Sequence, residues 1–237
     1  MKQVQTLPAA GFNPATFTGS SSQFGNSSVN SYIIEPQLDY NVVAGPGRLN
    51  LLAGATWQQN VAEGQFLQGT GYSSDALLKD IRSASTVTVR GVDSRRYNYQ
   101  SVFGRVNYNL DQTYLINLTF RRDGSSRFGP GKQFGNFGAI GAGWIFTNEG
   151  FLKNAISFLS YGKLRGSWGT TGNDQIGDYQ YLDTWSSTSF PYAGTPGLSP
   201  TRVYNPDYSW EINKKAEVAL ELGFLRDRLL LIANYYN

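Results

Sequence analysis

The sequence has no cysteine and no histidine, so thiol catalysis, disulfides, the usual zinc ligand sets and every His-dependent triad are excluded together. The side chains left to act on a solute are carboxylates, cations and aromatic rings. Glu217 and Glu221 fall on one face of an alternating segment. A glycosidase pair also needs a closed cleft that raises one carboxyl pKa, and nothing in the sequence supplies one. The stretch Asn173-Asp174-Gln175-Ile176-Gly177-Asp178 offers oxygen ligands but lacks the register and closing glutamate of an EF-hand, and reads as a turn. The expectation is a protein that is not an enzyme, with no catalytic residue, no cofactor and no metal.

Binding chemistry remains. Aromatic side chains are frequent recognition anchors, and the polar connection at residues 170–208 gathers Tyr179, Tyr181, Trp185, Phe190 and Tyr192. Tyr179, Tyr181 and Trp185 are candidate contacts for a substrate or a lid partner; the plainer use of these rings is to pack the loop on itself. Arg105, Arg121, Lys163, Arg165, Glu217 and Glu221 recur on the polar faces of alternating segments. They suit either a solute path or mutual pairing along a wetted wall. Arg122-Asp123-Gly124-Ser125-Ser126-Arg127 has the make-up of a structural turn: Asp and Ser cap amides, Gly takes positive φ, and arginine pairs with Asp123. The net charge of +3 is carried by scattered basic residues, too weak a field to imply a nucleic-acid partner.

The elements that must position these groups are strands. The chain contains 27 glycines, 15 tyrosines and 14 phenylalanines with 40% hydrophobic residues, a composition of many strands and turns. No stretch approaches the roughly 18 apolar residues of a membrane-spanning helix, and Met1 to Ala10 lacks the pattern of a signal peptide. Residues 1–28 carry no clear period and are expected as irregular loop or one ragged strand. From Tyr32 onward polarity alternates. Tyr32, Ile34, Leu38 and Tyr40 share one face, with Pro36 weakening the strand locally. After the turn Ala44-Gly45-Pro46-Gly47 come Leu49, Leu51, Ala53, Ala55 and Trp57.

A long polar connection is expected over about 59–97, with Ser74-Asp75 capping a short helix that carries Leu77, Leu78 and Ile81. Further hairpins join Val102–Tyr108 to Tyr114–Phe120 and Phe137–Phe146 to Phe158–Trp168, the second across a helical turn at Asn148–Asn154. The last hairpin joins Ala216–Phe224 to Leu229–Tyr235. The connections run short, long, short, medium, short, long, short. That is the habit of transmembrane barrels, whose turns are short on one side and whose loops are long on the other.

One parity also places Tyr40, Tyr108, Tyr114, Trp144 and Phe224 on the apolar face beside the short connections, as membrane-interface aromatics. Tyr32, Trp57, Phe120 and Trp168 lie towards the long ones. The fold class expected is all-β: an antiparallel up-and-down transmembrane β-barrel segment of about eight strands with long extracellular loops, not closed on its own. The competing reading is a soluble or surface β-sandwich, acting as a carbohydrate-binding module or adhesin. It requires Val218, Leu220 and Leu222 to be buried against a second sheet.

Several segments resemble the strand motifs of the SusC/RagA family of TonB-linked outer-membrane proteins. They are Ser101-Val102-Phe103-Gly104-Arg105-Val106-Asn107-Tyr108-Asn109, Arg122-Asp123-Gly124-Ser125-Ser126-Arg127-Phe128-Gly129 and Ala142-Gly143-Trp144. Leu164-Arg165-Gly166-Ser167-Trp168-Gly169-Thr170-Thr171-Gly172-Asn173, then Asn205-Pro206 with Trp210-Glu211, follow in family order. The resemblance implies that residues 29–237 are part of a single-chain barrel of about 22 strands in the bacterial outer membrane. It also implies that the chain is a truncated or excised piece of that barrel. Its implied partners are outer-membrane lipid, a SusD-like lipoprotein, a glycan or peptide substrate, and TonB through a region absent from this chain. Arg105, Arg121, Arg165 and Glu217 would face the lumen.

Overall fold

The computed structural model describes residues 1–11, 19–155, 158–188 and 190–237. Its strands are β1 (Lys2–Leu7), β2 (Ser21–Ile34), β3 (Gln37–Ala44), β4 (Gly47–Thr70), β5 (Thr86–Leu110) and β6 (Tyr114–Ser125). Then come β7 (Phe134–Trp144), helix α1 (Gly150–Ala155), β8 (Leu159–Asn173), β9 (Thr184–Ser187), β10 (Leu198–Arg202), β11 (Glu211–Phe224) and β12 (Leu229–Tyr236). The chain divides into two compact units, residues 1–32 with 59–97 and residues 33–58 with 98–237.

In the first unit β1 pairs antiparallel with β2, from Lys2 opposite Asn26 to Leu7 opposite Ser21. Residues 1–28, expected as loop or a ragged strand, therefore carry two paired segments, while residues 12–18 of that span lie outside those described. The connection expected over 59–97 is shorter: β4 continues to Thr70 and β5 starts at Thr86. Alternation hid these extensions. The parity that is apolar earlier in β4 and later in β5 carries Gln59, Glu63 and Gln65 here, and Arg90, Ser94 and Arg96, so backbone pairing persists after the amphipathic signal ends. In the loop left over, Ser74 caps a short 3-10 turn at Asp75–Leu77. Asp80 caps another at Ile81–Ser83 and pairs with Arg82 at 3.0 Å. Leu78 is buried beneath them.

In the second unit the strands run in the order β3-β4-β5-β6-β7-β8-β11-β12, each antiparallel to its neighbour where the register is defined. The order is an open path, so this chain does not close a barrel. Pro36 interrupts what the sequence suggested was one strand. Pro has no N–H to give the ladder, and β2 and β3 are separated there, although its carbonyl still accepts from Ala55 N at 3.1 Å. Three tight connections rest on positive φ: 61° at Gly45; 50° and 54° at Asp111 and Gln112, as a type I′ turn demands; and 54°, 60° and 61° at Leu225, Arg226 and Asp227. The connection from β7 to β8 carries α1 where a helical turn was expected over Asn148–Asn154, but it is longer than expected, spanning residues 145–158, whereas that from β6 to β7 spans only 126–133.

Register confirms the parity. Tyr108 lies opposite Ile116, Ile116 opposite Ala142, Ala142 opposite Gly166, and Gly166 opposite Val218. This face stays uncovered. Val218 is 55% exposed and Leu220 37%, with Leu222 half-buried, which removes the condition the β-sandwich reading required. Full burial falls instead on Phe128, with Phe137 and Ala219 close behind. Phe137 and Ala219 share the parity of the polar side chains, so the usual inside-out relation is inverted.

Gly47 shows how tightly β4 meets β5. A Cβ there would lie 2.7 Å from the Asn109 carbonyl oxygen and 2.7 Å from the Tyr108 ring, whose hydroxyl donates to the Ala44 carbonyl at 2.9 Å. Gly47→Ala is expected to cost about 1–3 kcal/mol by forced displacement, read as a lower urea midpoint in detergent micelles. An unchanged midpoint would show that the strands have room to part.

Candidate functional site

The polar face of the second unit holds two connected sets of side chains. The first begins with Asn50, whose amide donates to Asp39 at 2.9 Å and to Asn41 at 2.8 Å. Its own carbonyl accepts from Asn107 at 3.2 Å, and Asn107 in turn accepts from Asn117. Amides thus hydrogen-bond sideways across β3, β4, β5 and β6. An Asn has both donor and acceptor, so each can pass the pattern to the next strand.

The second set continues around the sheet on β8 and β11. Arg165 reaches Glu217 at 2.8 Å and Glu221 at 3.0 Å, and Lys163 lies 3.9 Å from Glu221. Arg165 and Glu217 are each 35% exposed, so water screens their pairing, which orients the wall more than it stabilises it; Lys163 and Glu221, at 21%, are less open. Together the amides and cations line a cavity of about 750 Å³, with Asn50, Asn107, Asn117, Lys163, Arg165 and Ser167 on its wall.

The expected polar-wall residues are therefore divided. Arg165 and Glu217 are brought together. Arg121 is spent locally, donating to Asp123 at 2.6 Å, to the Tyr99 hydroxyl at 2.7 Å and to Ser101 at 3.3 Å, with its guanidinium 5.6 Å from the centre of the Phe103 ring. Arg105 is exposed on the same face, opposite Thr119. The carboxylates of Glu217 and Glu221 converge on one guanidinium, an arrangement in which both are occupied by a structural cation rather than presented to a solute.

A third cluster joins the β6–β7 connection to the loop after β8. Arg127 donates to Asp178 at 2.9 Å and to the Asp174 carbonyl at 3.0 Å, and its guanidinium stands 3.9 Å from the Asp174 carboxylate. Beside it Phe128 is buried, its ring centre 5.2 Å from that of Trp210, which lies 5.4 Å from Phe137. The Trp210 indole donates to the Gln133 carbonyl at 3.0 Å. The segment considered for a cation thus directs both its carboxylates at Arg127.

The three candidate loop aromatics take different places. Tyr181 packs on Gly129, where a Cβ would meet its ring at 3.0 Å. Tyr179 has φ of 59°, and its carbonyl accepts from Arg202 at 3.2 Å. Trp185, on the β9–β10 hairpin, donates to Asp183 at 2.8 Å and leaves 55% of its surface exposed. Phe190 and Tyr192, between the two strands, are 90% and 89% exposed.

On the apolar face Tyr114 and Trp144 stand opposite each other and both donate to Glu149, the indole at 3.2 Å. Phe224 stacks with Phe158 at 6.5 Å, and Tyr40 is exposed. Glu149 gave no sequence signal, because it lies in a connection with no period. The amide ladder was half visible: Asn41, Asn50, Asn107 and Asn117 recur on the polar parity of four strands, but only register decides that they touch.

No family model matches the sequence. Over 234 residues it is 28% identical to TonB-dependent receptor P3 of Formosa agariphila, an alignment covering 95% of this chain and 23% of that protein. It is 31% identical over 210 residues to the TonB-dependent receptor SusC of Bacteroides thetaiotaomicron, covering 81% of this chain and 20% of SusC. A chain in the structure of the RagAB peptide transporter superposes with a TM-score of 0.86 at 24% identity, covering 99% of this chain and 26% of that one. The chain thus spans about a fifth to a quarter of the proteins it matches. An antiparallel sheet with an uncovered apolar face and a polar, hydrogen-bonded one is a piece of barrel wall. More particularly, it is a SusC/RagA-like partial barrel of the TonB-dependent receptor kind.

Proposed function

We propose that this chain is wall and outer loop of an outer-membrane transporter that imports oligosaccharides or peptides, driven through TonB and capped by a SusD-like lipoprotein. The observation that carries the reading is the inverted burial of the second unit. Leu118, Ile140 and Val218 are exposed on one face, while the opposite face spends its amides and charges on one another. In water that arrangement is unfavourable, because apolar surface left wet forfeits roughly 25 cal/mol per Å²; against lipid it is the stable one. Tyr40, Tyr108, Tyr114, Trp144 and Phe224 then sit at one headgroup layer. Trp57, Phe120 and Trp168 sit at the other.

Arg105, Arg121, Arg165 and Glu217 belong on this reading to the lumen side, and Tyr179, Tyr181 and Trp185 to the loops that meet substrate or lid. The solved relative's name, a peptide transporter, supports the peptide half of the substrate class, and the likeness to SusC supports a SusD-like partner. Folding the chain into liposomes made with brominated lipids tests the assignment. Bromines near the headgroups are expected to quench tryptophan fluorescence more than bromines at the bilayer centre, because Trp144 and Trp168 sit at the interfaces. A monomer that stays soluble without detergent, with tryptophans unquenched at every depth, would overturn it.

A further inference from the structure

We propose that Arg127 is the positioning residue for the recognition loop: its contacts with Asp178 and Asp174 hold residues 174–183 in place and so set where Tyr179, Tyr181 and Trp185 stand. The inference rests on the loop reading given above. The side chains of Arg127, Asp174 and Asp178 are only 23%, 15% and 19% exposed, so the ion pairs are shielded from solvent and from salt. The guanidinium is anchored from behind. Phe128, next in sequence, is fully buried with its ring against Trp210, and the Arg127 amide donates to Ser125 Oγ at 3.3 Å.

The far side of the contact leads directly to the aromatics. Asp178 immediately precedes Tyr179, whose carbonyl holds Arg202 on β10. The Tyr181 ring rests on Gly129, two residues from Arg127, and the Tyr181 carbonyl accepts from Asn205 at 3.0 Å. A planar guanidinium that reaches one carboxylate and one backbone carbonyl at once fixes direction as well as distance, which an ammonium does less well. Arg127 therefore acts through the loop and touches no solute itself.

Because the chain has no cysteine, a single nitroxide can be attached at Gln175→Cys, an exposed position between the two acids. The full chain is read by electron paramagnetic resonance in detergent micelles, with circular dichroism recording its β content. Arg127→Met is expected to raise the mobile fraction of the spectrum several-fold at unchanged β content. Arg127→Lys should restore part of the immobilised signal, and the reversal Arg127→Asp with Asp178→Arg more of it. Should Arg127→Met lower the β content, Asp178→Asn, which keeps the arginine, reads the same contact. An immobilised spectrum that neither Arg127→Met nor Asp178→Asn changes would overturn the proposal. Failure of the transport reading would appear elsewhere, as tryptophans that lipid does not quench.

Discussion

Replacing Leu118 by arginine is expected to weaken folding into a bilayer by about 2–4 kcal/mol, the cost of a cation at mid-depth on a lipid-facing strand. Leu118 lies midway along β6, opposite Val106 on one side and Ile140 on the other, and between the Tyr114 and Phe120 levels of the same face. All of these side chains are exposed, so no protein group is at hand to take the charge. The informative comparison is Ser167→Arg on the opposite face, where the register puts Glu217 directly across. There the added cation meets water and a carboxylate, and the change should stay below about 1 kcal/mol. Urea titrations of the two variants in liposomes measure the contrast. Equal losses would mean that the two faces do not differ in environment, and the membrane-wall reading would fall with them.

The second large effect belongs to Phe128. Its ring is fully buried against Trp210, in a chain whose described core otherwise contains few large apolar side chains. Phe128→Ala should cost about 3–5 kcal/mol, the transfer term plus the cavity left behind. It should also abolish much of the near-ultraviolet dichroism of Trp210, which loses its neighbour, while far-ultraviolet strand signal survives. Phe128→Leu should lose less on both measures. If Phe128→Ala unfolds no more readily than the parent, the cluster does not tie the β6–β7 connection to the segment before β11.

Much of the wall was legible because a sheet with one apolar and one polar face imposes a period of two. Tyr108, Ile116, Ala142 and Val218 were assigned to one face from alternation alone, and the register joins them in one row across five strands. The turn at Gly45 was legible for a local reason, because glycine takes its positive φ readily; the turn at Asp111–Gln112 was placed only by the gap between two alternating runs. Where both faces of a strand meet the same surroundings, that period disappears. The extensions of β4 beyond Gln58 and of β5 before Asn98 went unseen for this reason, and residues 1–28 were legible only as loop or one ragged strand. In the β7–β8 connection the helical turn was legible and only the length was misjudged, since the alternation that would mark the strand ends fades on both sides of it.

What the sequence by itself determined is the class of strand: which side chains face an apolar phase, where aromatic rings collect, and which reactive groups are missing. Those properties are carried by residue type and by parity, both of which are local. The tertiary structure alone decided what touches what. Only pairing register brings Asn50, Asn107 and Asn117 into one hydrogen-bonded row, and places Arg165 between two glutamates. Only chain return puts Arg127 against Asp178, 51 residues later, and turns Tyr181 from a free ring into a packing group while Trp185 stays exposed. Contacts of that kind depend on separations in space that no periodicity records.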